Sequence, residues 1–326
     1  MISSELKHVV VTGAAGFIGS TLVDSLLNQG IEVLGIDNFS TGRKEFLEKA
    51  LNNPKFTLLK EDIYLGENLS NVFSGMDAIF HLAANADVRF GPDNPGRDLE
   101  QNTIATHKVL EAARIAGVKK FIFSSTGSVY GEAKVVPTPE NAPFPIQTSL
   151  YGASKLACEG MIAAYSESFG MQVWIFRFVS ILGPRYTHGH VYDFYKQLAD
   201  HPDKLTVLGN GHQKKSYLHV SDCIAAIHLA LKYPSSRVNI LNLGIDAYCE
   251  VRDSVGWITN EMGLNPEITF GTESKGWIGD NPLIHLDTRR IQELEWAPRY
   301  SIEESVRDTV SFMKSNPWIF KANPPK

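Results

Sequence analysis

Long hydrophobic runs are missing: nowhere do the 326 residues approach the roughly 18 uninterrupted apolar positions that a membrane-spanning helix requires. Cysteine is scarce. Cys158, Cys223 and Cys249 are odd in number, with no CxxC spacing and no paired His motif. That excludes a disulfide framework or a zinc module and reads as reduced, mostly packed thiols. Positive charge is not in excess either, with 31 Lys and Arg against 36 Asp and Glu, a net −5. Such mild acidity argues against a general attraction to nucleic acid or anionic lipid. Repeats and low-complexity segments are absent, and the first residues carry neither a basic n-region nor a long apolar h-region. Hydrophobic residues make up 43% and charged residues 21%, an ordinary soluble balance that excludes collagen, coiled coil and disorder. A cytoplasmic location is expected. The length corresponds to roughly two domains of about 150 residues.

What is present is an alternation of apolar runs and helical patterns. Residues 8–12 (HVVVT) form a β-branched run ending at Gly13, and residues 17–28 place Phe17, Ile18, Leu22, Val23, Leu26 and Leu27 near helical spacing. Further strands are expected over 31–36, 56–60, 78–82, 119–124 and 173–177. Helices are expected over 103–116, 151–169, 221–232 and 301–314, the last opened by a capping box between Ser301 and Glu304. Continuous apolar strands separated by helices mean an α/β, doubly wound parallel sheet covered on both faces. Residues 1–176 are read as a dinucleotide-binding domain, to which about 205–245 return, and 177–326 as mainly a smaller, interleaved substrate lobe. Gly- and Pro-rich stretches at 182–189 and 271–282 are expected to line a cleft.

Gly13-Ala-Ala-Gly16-Phe-Ile-Gly19 lies directly between the first strand and the first helix. Glycines there permit a tight turn and close approach of a pyrophosphate, and the helix start adds unpaired N–H groups. A helix-packing loop is the bland alternative; the strand–loop–helix context favours the phosphate reading. Asp37 ends the second strand, where a carboxylate can bind both ribose hydroxyls and repel a 2′-phosphate, so NAD is expected over NADP. A surface turn acid is the alternative for Asp37, and Arg43 keeps NADP open. Asp62 follows the third strand, placed to reach an adenine amino group or to be a solvated loop acid. Leu82, Ala83 and Ala84 follow the fourth, small enough for a cofactor to lie against the sheet edge.

Tyr151-Gly-Ala-Ser-Lys155 puts a phenol and an ammonium on one helix face. The lysine favours phenolate and is expected to lower the tyrosine pKa towards neutrality. An exposed pair on a solvated face is the alternative, outweighed by the phosphate loop and by a fifth strand ending Ser124-Ser125-Thr126. Those hydroxyls can orient a reacting sugar hydroxyl or simply cap a turn. His188 and His190 have no ligand partners in sequence, so no metal is expected. The tryptophans and Tyr192, Phe194 and Tyr195 are read as packing.

On TGAAGFIGS at 12–20, Asp37, His81-Leu-Ala-Ala84, Asn102, residues 124–131, Tyr151/Lys155, residues 177–185 and 213–222, the chain resembles the extended short-chain dehydrogenase/reductase family, in its nucleotide-sugar epimerase and dehydratase branch. The resemblance implies a Rossmann-type fold, resident NAD, a UDP-hexose substrate and a homodimer. It implies that Tyr151 is the acid/base at the sugar 4-hydroxyl, Lys155 its pKa tuner, and Thr126 (or Ser125) the catalytic hydroxyl. Cofactor contacts are implied from Gly13, Ala15, Gly16, Phe17, Ile18, Gly19, Asp37, Asn38, Ser40, Asp62, Ile63, Leu82, Ala83, Ala84, Asn102, Ser124, Tyr151, Lys155 and Phe178. Substrate contacts are implied from Val88, Thr126, Ser180, Arg185, Lys215 and Asp280.

The branch's 4,6-dehydratases follow the catalytic Thr with Asp-Glu, and its decarboxylases place a Glu two residues after it. Here Gly127 and Ser128 follow, which points to C4 epimerisation. The other readings are a reductase or dehydratase of the same branch, and a non-catalytic NAD-binding regulator. Three departures bear on the diphosphate grip: Ser180 for the usual Asn, Lys215 for Arg, and Trp277-Ile-Gly-Asp280 for Arg-Pro-Gly-Asp, with Lys275 or Arg185 as compensating cations.

Overall fold

The computed structural model describes residues 6–86, 93–143, 146–274 and 283–321. Its frame is a seven-stranded parallel sheet. Six strands come from the first 178 residues: β1 (His8–Thr12), β2 (Glu32–Asp37), β3 (Phe56–Lys60), β4 (Ala78–His81), β5 (Lys120–Thr126) and β6 (Gln172–Phe178). Smaller pieces follow: β7 (Ser180–Leu182), β8 (Lys204–Val207), β9 (Lys214–Lys215) and β10 (Tyr217–His219). The seventh strand of the main sheet is β11 (Val238–Leu243), and β12 (Cys249–Glu250), β13 (Glu267–Phe270) and β14 (Leu283–Ile284) complete the small sheets. The main order is β11-β6-β5-β4-β1-β2-β3. Chain order therefore reverses between β1 and β4, and a ligand crevice opens at the carboxyl ends of strands on either side of such a reversal.

The helices are α1 (Phe17–Asn28), α2 (Glu48–Leu51), α3 (Leu69–Val72), α4 (Pro95–Asp98), α5 (Ala105–Ala116), α6 (Leu150–Phe169), α7 (His190–Asp200), α8 (Val220–Lys232), α9 (Val251–Met262), α10 (Arg289–Gln292) and α11 (Ile302–Ser315). Side chains of a strand alternate between faces. Accordingly Val9 and Val11 join one buried cluster with Leu22, Leu26 and Ile227, and Val10 joins the other with Val109, Leu110 and Ile162. Both faces are thus covered, as the apolar strands imply.

Most expected bounds hold within two residues. The helix expected from 103 begins instead as α4, passes through a π-turn at Leu99–Ile104, and continues as α5. β5 and β6 each extend beyond their expected ends, because Ser124, Ser125 and Thr126 keep register with Phe176, Arg177 and Phe178. α8 begins one residue before its expected start and is capped by His219, whose ring accepts from Ser221 N at 3.2 Å. Ser301 and Glu304 make the capping box as expected. The three cysteines are buried and unpaired. Among the described residues no helix is long and apolar enough to cross a membrane.

Candidate active site

A cavity of about 490 Å³ opens at the carboxyl edge of the sheet, where β1, β2, β4 and β5 end. Gly13 turns the chain there at φ +69°, and a Cβ on it would lie 2.8 Å from Ala83 N. On Gly19 a Cβ would lie 2.0 Å from the Gly13 carbonyl oxygen. The loop is therefore as close to α1 and to the β4 edge as backbone can come. α1 starts after Gly16 with no side-chain cap and no acid in its first turn, so its leading N–H groups face an anion site.

Asp37 is 8% exposed and accepts from Ala15 N at 2.9 Å and Phe39 N at 2.7 Å. A carboxylate has about four acceptor positions, so two remain for ribose hydroxyls. Burial raises its pKa, and the two backbone hydrogen bonds oppose the rise. Loop, helix start and carboxylate together fit a dinucleotide without change to the chain.

Tyr151 and Lys155 sit on the first turns of α6, which Ser149 caps by accepting from Gly152 N at 3.0 Å. The Tyr151 phenol is hydrogen-bonded with Thr126. Thr126 Oγ1 also accepts from Ser128 N at 3.1 Å and donates to Ser128 Oγ at 3.2 Å. Lys155 is 2% exposed; its Nζ donates to the Ser124 carbonyl at 2.9 Å and lies 4.5 Å from the Phe123 ring centre.

The expected fall of the tyrosine pKa is not produced by the protein chain. Burial pushes Tyr151 up to about 12, with the Thr126 hydrogen bond pulling the other way and Asp98 and Cys158 adding to the rise. Burial also brings Lys155 down to about 8. Its Nζ is turned to a backbone carbonyl and an aromatic face, so its influence on the phenol is spent elsewhere.

Most expected cofactor residues line this one cavity: Gly13, Gly16, Phe17, Ile18, Gly19, Asp37, Asn38, Ser40, Ile63, Leu82, Ala83, Ala84, Ser124, Tyr151, Lys155 and Phe178. Ala15 contributes through its N–H to Asp37. Two are displaced from the cavity wall. Asp62 accepts from Asn38 Nδ2 at 2.8 Å and from Tyr64 N at 2.9 Å, which shapes the loop after β3 and leaves Ile63 and Glu61 on the wall. Asn102 is 1% exposed and lies behind the wall, its Oδ1 accepting from Asn85 N at 2.8 Å. Ser125 lines the cavity, but its hydroxyl donates to Glu159, which Arg177 holds in a buried ion pair at 2.7 Å. Thr126, although expected as a substrate contact, is not on the cavity wall; it is the hydroxyl that meets the phenol.

The expected substrate residues scatter. Val88 and Asp280, with Lys275 and Trp277, lie outside the described residues. Arg185 does not line the cavity; at φ +76° it turns towards α1 and pairs with Asp24 at 2.6 Å. Ser180 is exposed at the start of β7 and Lys215 is half-buried in β9, neither on the cavity wall. Asn85, Ala86, Arg97, Gln101, Thr187 and His188 line it without having been read as contacts. A four-residue spacing of Arg97, Gln101 and Ala105 was the available signal for part of that wall. Arg43 also lines the cavity and donates from Nη2 to the Ile319 carbonyl at 3.1 Å. Among the described residues no His, Cys, Asp and Glu group could hold a metal ion.

Residues 9–244 match the model of the NAD dependent epimerase/dehydratase family. A UDP-glucose 4-epimerase of Mycolicibacterium smegmatis is 33% identical over 315 residues, 94% of this chain and 99% of that one. UDP-glucuronic acid decarboxylase 1 of Arabidopsis thaliana is 31% identical over 320 residues, 95% of this chain and 70% of that one. A crystal structure of a UDP-galactose 4-epimerase superposes with a TM-score of 0.85 at 36% identity, covering 95% of this chain and all of that one. The glycine loop, Asp37 and the Tyr151/Lys155 helix all lie within the matched residues, and the chain belongs to the NAD-dependent epimerase/dehydratase family.

Proposed function

We propose that this enzyme is a 4-epimerase of a UDP-hexose of the UDP-glucose/UDP-galactose type, working through a 4-keto sugar. One observation carries the choice within the family. Among the described residues lining the cavity only Asp37 and Glu61 bear carboxyl groups, and both stand at the ends of β2 and β3, away from Tyr151. The turn beyond Thr126 offers Gly127 and Ser128, and a Cβ on Gly127 would already lie 2.9 Å from Ile284 Cγ2. Among the described residues, therefore, no carboxylate of the cavity wall or of this turn stands there to take a proton from C5.

When bound, NAD supplies a hydride acceptor and, in its oxidised form, a positive charge on the nicotinamide. Tyr151 exchanges the proton of the sugar 4-hydroxyl through its phenol oxygen. Thr126 keeps that phenol oriented and orients the sugar hydroxyl beside it. Lys155, held by Ser124, keeps a positive charge beneath the site. The same phenol returns the proton after the sugar presents its other face; the hydride given up by C4 would return to C4 on that face, so the cycle would consume no external NAD.

Proton NMR of the purified protein, without added NAD, with UDP-glucose, UDP-N-acetylglucosamine and UDP-glucuronic acid in separate tubes, tests this. Conversion of UDP-glucose to UDP-galactose is expected. A 4-keto-6-deoxy sugar, or a pentose formed with loss of carbon dioxide, would overturn the reading.

A further inference from the structure

The segment from α4 through the π-turn into α5 shows two stripes at four-residue spacing. Arg97, Gln101 and Ala105 line the cavity. Asp98, Asn102 and Thr106 are 1%, 1% and 0% exposed and face away from it, towards β4 and α6. Thr106 Oγ1 meets His81 Nε2 at 3.0 Å and accepts from Cys158 Sγ at 3.4 Å. π-turns inside helices gather at functional sites.

Asp98 is the unexplained member. A buried carboxylate is costly unless its lone pairs are used. Asp98 uses one oxygen: Oδ1 accepts from Asn85 Nδ2 at 2.8 Å and from Asn102 Nδ2 at 3.2 Å. Its Oδ2 is buried without a partner. An asparagine would join the same two amides with no charge to bury, so the carboxylate needs another reason.

The hydrogen bonds lead from Asp98 to the catalytic helix. Asn102 Nδ2 donates to Ser154 Oγ at 2.9 Å, and Ser154 Oγ donates to the Tyr151 carbonyl at 2.8 Å. On the other side Asn85 belongs to the cavity-lining loop after β4. We propose that Asp98 is a positioning residue: from beneath the cavity wall it ties the loop after β4 to the first turn of α6, and its charge acts on the Tyr151–Lys155 pair. The proposal rests on the 4-epimerase reading only for the proton that Tyr151 moves.

Among the described residues the groups facing the pair are few. Thr126 from the end of β5 hydrogen-bonds the phenol, Cys158 and Glu159 lie on α6, and His81 on β4 is held neutral by burial. Glu159 is paired with Arg177, and with Cys158 it still favours the ammonium at Lys155 more than Asp98 does. Asp98 opposes phenolate at Tyr151 and adds to that support of the ammonium. It does so from outside α6, in a site where burial works against the Lys155 charge.

Asp98→Asn separates charge from shape, because it keeps the Oδ1 acceptor and alters only the unpartnered atom. Both limbs of the pH profile of kcat are expected to move to lower pH, by about one unit. Tyr151, followed in the NAD-loaded protein by its ¹³C-labelled ring carbon and assigned by loss of the signal in Tyr151→Phe, is expected to titrate lower by a similar amount. Asp98→Ala, which also removes the tether, is expected to lose about 10²-fold in kcat, with KM within about threefold. An Asp98→Asn protein with wild-type titration and wild-type profile overturns the proposal, even if Asp98→Ala is inactive or unfolded. Should wild type turn over no UDP-hexose, the 4-epimerase reading fails, while the Tyr151 titration still decides the role of Asp98.

Discussion

The cofactor end and the substrate end of the cleft contrast in how their residues are assembled. At the cofactor end, Gly13, Gly16, Gly19 and Asp37 all come from one β–α–β stretch, and each lines the cavity. At the substrate end, Ser180, Arg185 and Lys215 come from separate short elements, and none lines it. The first end is built by local geometry, in which a strand must be followed by a turn and a helix start. The second depends on how a lobe of small sheets packs against the main one. Site chemistry is thus transferable from sequence only where the chain itself sets the distances.

The contrast can be broken most forcefully at the point where the two ends meet. Tyr151→Phe removes the proton carrier and leaves the ring that lines the cavity; kcat is expected to fall by about 10³-fold or more, measured by NMR turnover, with bound NAD per chain unchanged. Comparable activity in that variant would remove Tyr151 from the chemistry. Gly19→Ala attacks the cofactor end alone. The added methyl would press on the Gly13 carbonyl, so NAD content of the purified protein, read by absorbance after denaturation, is expected to drop by about tenfold or more.

At the substrate end the expected effect is on stability. Arg185→Ala breaks the half-buried pair with Asp24 and is expected to cost about 1–3 kcal/mol in urea unfolding, with KM for the nucleotide sugar changed less than about twofold. A large rise in KM would return Arg185 to the substrate. A further effect concerns pH. Burial holds His81 and His190 neutral, both down to about 3 from 6.5. A depressed folded pKa means that the unfolded chain takes up protons first as pH falls. Stability is therefore fully present above about 6.5 and is expected to decline from there towards pH 3, seen as a falling Tm. A flat Tm between pH 6.5 and 4.5 would contradict that burial.

Much of this was legible beforehand. Val9, Val10 and Val11 announce a strand covered on both faces, and the Gly loop and Tyr151/Lys155 sit on the elements expected for them. Asp62 and Asn102 were readable as polar residues near the cleft but not as residues facing away from it. A single helical turn decides between lining a cavity and standing behind it, and that choice depends on the π-turn at 99–104. Arg185 could not be assigned at all, since Asp24, its partner, lies 161 positions away.

The order of residues by itself determined the parallel sheet, the phosphate loop and the pairing of phenol with ammonium, because strand alternation, turn sterics and helical spacing all act over a few residues. Only the tertiary structure decided that burial pushes Tyr151 up, that Lys155 faces Ser124, and that Asp98 is buried behind the cavity wall. Desolvation and charge coupling depend on what packs around a group, and those neighbours come from β4, β5, α4 and α6 at once.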